Sequence, residues 1–315
     1  MTAPAPLVRT VLGDIAPADL GVCDAHDHLF LRSPRLPGQE LDDPAAAEAE
    51  LRAFAALGGE AVVQWTPIGM GRRADALPAL SRTAGVHIVA ATGLHQAVHY
   101  DQDALRHLAD GLEERFVAEL TGGARPDDAP DGAPLTARAG MIKVAGGFHG
   151  LDAHTRRVFA AAAHAHRATG APIGVHLEGG TAALDVLELL CAVHGVPPHR
   201  VILGHLNRMP DSRTHRQAAE AGAYLAFDGP SRAHHATDWR LLDCLVSLVE
   251  AGHARRILVG GDTTTASARA STGEGPGMPY LLSGLRTGID RELGPEITAV
   301  FFRENPAEAF AVSWP

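Results

Sequence analysis

The run Asp24-Ala-His-Asp-His places His26 and His28 two residues apart on what reads as an extended segment. Side chains two positions apart on a strand point the same way, so both imidazoles can reach one metal ion. The pair alone carries little weight in a chain with 18 histidines. His176, in Pro-Ile-Gly-Val-His-Leu-Glu, and His205, in Val-Ile-Leu-Gly-His-Leu, each close an apolar run. A buried imidazole needs partners for its ring nitrogens, and a metal is one such partner. Either histidine alone reads better as a hydrogen-bonded core residue. Asp262 ends Ile-Leu-Val-Gly-Gly-Asp, where a carboxylate could ligate metal and accept a proton. The plain alternative is a helix N-cap, because Thr and Ser residues follow. Lys143 lies inside Met-Ile-Lys-Val-Ala. An ammonium in an apolar run is costly unless it is neutralised or paired. A snorkelling or ion-paired lysine is one solution. The other is reaction with CO₂ to a carbamate, an anion able to bridge two metals. Four histidines, a carboxylate and a carbamate suit two borderline divalent ions.

Where these residues fall in the chain adds weight. Apolar runs at Leu20–Ala25, Glu60–Thr66, His87–Thr92, Gly140–Val144, Pro172–His176, Arg200–Gly204, Ala223–Phe227 and Arg256–Gly260 read as strands buried on both faces. Between them, Pro44–Leu57, Leu105–Leu120, Ala153–Thr169, Ala182–His194, Arg213–Ala221 and Trp239–Ala251 read as helices, several stopped by glycine. Eight strand–helix alternations predict one (β/α)8 TIM barrel over residues 1–315, with a short hairpin or lid at Val8–Asp19 across its bottom. Gly122–Pro134, rich in Gly, Pro and Asp, predicts a surface loop. Function in such barrels sits where strands end and βα loops begin. The candidates take those places in order: His-X-His on the first strand, Lys143 on the fourth, His176 and His205 on the fifth and sixth, Asp262 after the eighth. Each piece is weak, and the ordered set is strong.

The bulk properties exclude other classes. The net charge of −10 and 5% aromatics argue against a nucleic-acid or anionic-membrane partner. Cys23, Cys191 and Cys244 are far apart and read as reduced thiols of a cytoplasmic protein. No basic start leads into an apolar run, and no stretch approaches a membrane span. Neither a Gly-X-Ser-X-Gly elbow nor a phosphate-binding loop is present, and direct attack by water would need no such nucleophile.

The chain resembles the phosphotriesterase-related family of the amidohydrolase superfamily, including its phosphotriesterase-like lactonases. The likeness runs through Thr10-Val-Leu-Gly, Ala25-His-Asp-His-Leu, Ala91-Thr-Gly-Leu, Met141-Ile-Lys-Val-Ala and Val201-Ile-Leu-Gly-His-Leu. It continues through Ala226-Phe-Asp-Gly, Gly275-Pro-Gly-Met-Pro-Tyr-Leu-Leu and Glu304-Asn-Pro-Ala. It implies two divalent ions, zinc being the expected one. His26, His28 and Asp262 would hold the more buried ion and His176 and His205 the more exposed one, with carboxylated Lys143 bridging both. It further implies a homodimer acting on a small molecule. A metal-bridging hydroxide would attack a lactone or carboxylic ester, with Asp262 as catalytic proton acceptor. There are departures. His95 stands where lactonases often carry tyrosine, and Asn207 where similar members often carry aspartate. The run after Asp262 is Thr263-Thr-Thr-Ala-Ser-Ala-Arg, where relatives are more basic and aromatic. His95, Tyr100, Arg208, Arg232 and Arg269 are the candidate substrate-binding residues, with His234, His235 and Trp239 beside Arg232. Arginine forks suit carboxylate and phosphate, so a polar or anionic substrate is expected. A phosphotriester or an N-acyl amide on the same site is the alternative. A non-catalytic metal-binding partner protein is the reading from a different class.

Overall fold

The computed structural model describes residues 5–127, 129–229 and 236–315. A hairpin of β1 (Leu7–Thr10) and β2 (Gly13–Ile15) precedes eight parallel strands. These are β3 (Cys23–Asp27), β4 (Ala61–Gln64), β5 (His87–Leu94), β6 (Met141–Gly146), β7 (Ile173–Leu177), β8 (Val201–Gly204), β9 (Tyr224–Asp228) and β10 (Ile257–Gly260), each pairing with the next. The intervening helices are α1 (Pro44–Ala56), α2 (Leu77–Ala84), α3 (Gln102–Ala109), α4 (Leu112–Thr121), α5 (Ala153–Thr169), α6 (Ala183–Leu187), α7 (Ser212–Glu220) and α8 (Leu241–Glu250). The strands wrap into a nearly closed (β/α)8 barrel, as the sequence predicts, because their side chains are buried on both faces. Aspartates at 43, 101, 152 and 211 start α1, α3, α5 and α7 by accepting backbone N–H groups their first turns cannot otherwise satisfy.

Two helices differ from expectation. Leu105–Leu120 reads as one helix but forms two. The chain is extended at Asp110 and left-handed at Gly111 (φ 63°), which breaks the hydrogen-bond ladder between α3 and α4. The helix expected over Ala182–His194 starts as α6 and widens to a π-helix over Glu188–Val193.

The predicted hairpin packs against the N-terminal end of the barrel, where the Val11 N–H reaches the Ile88 carbonyl at 2.9 Å. β1 also pairs with β11 (Ala311–Val312), so both chain ends meet on that face. There Arg9 lies over the Trp314 ring at 3.9 Å. The barrel interior holds Trp65 packed with Val63, Val89, Met141, Ile202 and Leu258, and its indole N–H donates to the Ala25 carbonyl at 2.8 Å. Glycines make its space: a Cβ at Gly174 would lie 3.0 Å from the indole, and one at Gly204 3.3 Å from it.

A buried ion pair ties α4 to the loop after β4. Arg72 donates two 2.7 Å hydrogen bonds to Glu119, one to Asp127 at 3.1 Å, and others to the carbonyls of Ala91 (3.1 Å) and Arg125 (2.8 Å). Glu119 also accepts from the Thr92 hydroxyl at 2.7 Å and the Arg125 N–H at 3.2 Å. The three cysteines are unpaired, and no described helix is long and apolar enough to cross a membrane.

Candidate metal centre

The fold brings His26, His28, Lys143, His176, His205 and Asp262 to the wall of one cavity of about 180 Å³ at the C-terminal strand ends. One donor atom each from His26, His205 and Asp262 lies within 4.8 Å of the others. His205 and Asp262 turn the chain as their strands end, with φ of 64° and 52°. Left-handed backbone at a non-glycine residue costs about 1–3 kcal/mol and persists where surrounding structure enforces it. Lys143 sits in register with Gly93 on one side and Gly174 on the other.

Hydrogen bonds set which ring nitrogen of each histidine is available. The Thr66 hydroxyl donates to the Phe30 carbonyl at 2.5 Å, so its oxygen accepts from His28 Nδ1 at 2.8 Å. That leaves the His28 Nε2 lone pair facing Asp262 at 3.4 Å. His26 Nδ1 faces Asp228 Oδ1 at 2.8 Å, outside hydrogen-bond alignment, and its Nε2 lies 3.5 Å from Asp262. The other Asp228 oxygen contacts His205 Nδ1. Asp228 thus stands behind two imidazoles, hydrogen-bonded to His205 and in close contact with His26, as carboxylates do around metal-ligating histidines. His205 Nε2 and His176 Nδ1 converge to 2.7 Å, a separation that needs a proton or a cation between the two lone pairs.

The electrostatics favour ligand forms. Burial pushes His176 down to about 4 and moves His205 and His28 down as well, so the imidazoles stay neutral. Burial pushes Lys143 down to about 7, against the charge of Asp262. Burial also opposes ionisation of Asp262, but its contacts with His205, Arg208 and His28, of which Arg208 carries the lasting charge, outweigh it and hold the carboxyl below its ordinary range. Neutral imidazoles, an ionised carboxylate and an amine near neutrality are a donor set that fits divalent ions such as zinc.

Of the predicted substrate-binding residues, His95 and Arg208 line the cavity. His95 donates its backbone N–H to the Tyr100 hydroxyl and accepts from His154 Nε2, both at 2.8 Å. Its ring lies between His99 and His176, with centroids 4.2 and 4.7 Å away. Arg208 contacts Asp262 directly. Tyr100 and Arg269 are not among the lining residues: the first spends its hydroxyl on His95, and the second is buried against the Leu29 carbonyl. Arg232, His234 and His235 lie outside the described residues. Trp239 is 75% exposed and does not line the cavity. Sequence reasoning missed Asp228, although it follows an apolar run by the same rule that found Asp262. It also missed Glu178, two residues past His176 and 3.1 Å from its Nε2. Arg35 and the Ser33–His99 pair, 2.8 Å apart, come from loops and carry no spacing signal.

The sequence profile of the Phosphotriesterase family matches residues 6–310. The chain belongs to the phosphotriesterase family. Membership places it among metal-dependent hydrolases, the enzyme class the residues predict, with a small-molecule substrate. It is 32% identical over 251 residues to a phospho-furanose lactonase of Mycoplasmopsis agalactiae, covering 75% of this chain and 70% of that protein. It is 26% identical to an N-acetyltaurine hydrolase of Tetraodon nigroviridis, covering 96% of this chain and 97% of that one. The crystal structure of a lactonase from Listeria monocytogenes superposes with a TM-score of 0.88 at 28% identity, covering 96% and 98% of the two chains.

Proposed function

We propose that this chain is a binuclear hydrolase that cleaves a lactone or carboxylic ester carrying polar or anionic groups. The observation that carries the reading is the meeting of four histidines, Lys143 and Asp262 on one cavity wall. Bound there, two divalent ions, zinc first among them, would polarise the scissile carbonyl and lower the pKa of a coordinated water to about 7. In this reading His26, His28 and Asp262 hold one ion and His176 and His205 the other. Asp262, on the wall of the cavity, would accept the proton of the attacking water. The Lys143 amine, driven toward neutrality by burial, would attack the carbon of CO₂ and lose an N–H proton, giving a carbamate able to supply oxygen ligands to both ions. Asp228 and Thr66 hold the histidine rings in their ligating orientation.

His95 and Arg208 keep the substrate-binding role in this proposal, joined by Arg35. Two arginines on a small cavity favour a carboxylate or phosphate on the substrate. Leu31, Leu36 and Met70 supply an apolar wall for its carbon skeleton. Tyr100 and Arg269 act from behind, by holding His95 and the Leu29 carbonyl. Cleavage of an N-acyl amide is a second reading, supported by the relative named an N-acetyltaurine hydrolase and by the same two arginines. A homodimer completes the proposal, and light scattering checks it.

The test is turnover of matched neutral and anionic lactones, esters, phosphotriesters and N-acyl compounds, before and after chelation. The proposal expects lactone or ester hydrolysis, faster for anionic members and abolished by chelation. Turnover of N-acyl compounds alone would move the assignment to the second reading. Turnover of none would contradict an enzyme and point to a metal-binding partner protein.

A further inference from the structure

β3 and β10 meet at the seam of the barrel, where His26 and His28 face Asp262. Among the described residues the two strands share no ladder pairing. Asp24 and Asp27 are both wholly buried on β3, and neither belongs to the ligand set. One Asp24 oxygen accepts from the N–H groups of His26 and Gly261, each at 3.1 Å. One Asp27 oxygen accepts from the N–H of His28 at 2.7 Å and of Thr263 at 2.9 Å. Its second oxygen accepts from the Thr263 hydroxyl at 3.3 Å. Each carboxylate therefore joins one histidine of the His-X-His pair to one residue flanking Asp262. Between the two, the Asp262 N–H reaches the His26 carbonyl at 2.9 Å. An oxygen that accepts from two peptide groups fixes both peptide planes, and those planes aim the Cβ atoms next to them. Gly261 leaves the room: a Cβ there would collide with an Asp27 oxygen and crowd Asp24 at 3.2 Å.

We propose that Asp24 and Asp27 are positioning residues, a pair of staples across the seam that set the spacing of His26, His28 and Asp262. They thereby set the geometry and affinity of the ion those three residues hold. The inference rests on the metal-centre reading above. It assigns the role to acceptor geometry, not negative charge, because the four N–H donors ask only for an oxygen in the right place. An asparagine keeps that oxygen and turns its amide toward the neighbouring carboxylate. A leucine of similar volume keeps neither.

The experiment compares zinc affinity, by competition with a chromophoric chelator, and the visible spectrum of cobalt(II)-loaded protein. Asp24→Leu and Asp27→Leu should weaken zinc binding by about 10- to 100-fold and alter the cobalt spectrum. Asp24→Asn and Asp27→Asn should stay near wild type in both. Gly261→Ala retains every acceptor but pushes them apart, so it should change the cobalt spectrum as the leucine variants do. It also serves as the test should a leucine variant not fold. Folded leucine variants or Gly261→Ala with wild-type affinity and spectrum would overturn the inference. So would asparagine variants that fail as badly as leucine. Wild-type protein that binds neither metal would instead overturn the metal centre itself, and this inference with it.

Discussion

Arg72 and Glu119 are as deeply buried as Lys143 and Asp262, at 2% and 1% exposure against 3% and 2%, yet the two groups are kept differently. Burial works against the Arg72 guanidinium, but Glu119 and Asp127 outweigh it and raise its pKa. Burial works against the Glu119 carboxylate too, and Arg72, Thr92 and Arg125 outweigh it and lower the pKa. Both stay charged because partners answer them in full. At the cavity only the charge of Asp262 favours the Lys143 ammonium, and burial wins there, as it does for His28, His176 and His205. The lesson is that buried charge alone does not mark a functional site. Burial that strips charge from several ligand-type groups around a cavity does.

Removing one charge from each group should separate them. The largest effect is expected from Asp262→Asn, which should lower kcat by about 100- to 10,000-fold in a substrate assay. Its thermal unfolding should stay near that of wild type, and wild-type turnover would break the contrast. Glu119→Leu leaves Arg72 without its main partner and should cost about 3–5 kcal/mol of stability in a denaturant melt. Metal content of the folded variant should not change, and Arg72→Met with Glu119→Leu should recover most of the loss. Acid should find the same pair. The folded Glu119 pKa lies below its unfolded value of about 4.3. Its contribution is therefore complete above that pH and fades as pH falls through it toward the folded pKa. Stability should fall there by at most about 1.4 kcal/mol per pH unit from this group, and Glu119→Gln should lack that slope. The smallest effect is expected from Tyr100→Phe, which strands the buried His95 N–H at a cost of about 1–3 kcal/mol. Any rise in KM should come together with that loss of stability, because Tyr100 acts through His95; a raised KM with unchanged stability would put the Tyr100 hydroxyl on the substrate.

The barrel was legible because strands buried on both faces leave unbroken apolar runs, and glycines mark where helices stop. All eight runs became strands, although β3, β5, β6, β7 and β9 extend past the ends read from sequence, to Asp27, Leu94, Gly146, Leu177 and Asp228. The ligand candidates were legible because strand ends have fixed meaning in this fold. Asp228 escaped because the run before it was ended at Phe227 and the next residue was not weighed as a strand end. Arg72 escaped for a different reason: its carboxylate partners lie 47 and 55 residues away, and no local pattern announces such a pairing. Tyr100 was read toward the cavity because it follows β5 closely, but a short 3₁₀ turn at Ala97–His99 folds it back under His95.

Anomalous diffraction from crystals of the purified protein, recorded across the zinc absorption edge, tests the central claim most directly. The account predicts two ion peaks, one among His26, His28 and Asp262 and one between His176 and His205, joined by density continuing from Lys143 Nζ. A cavity without anomalous peaks in protein crystallised with zinc, its six side chains unmoved, would contradict it.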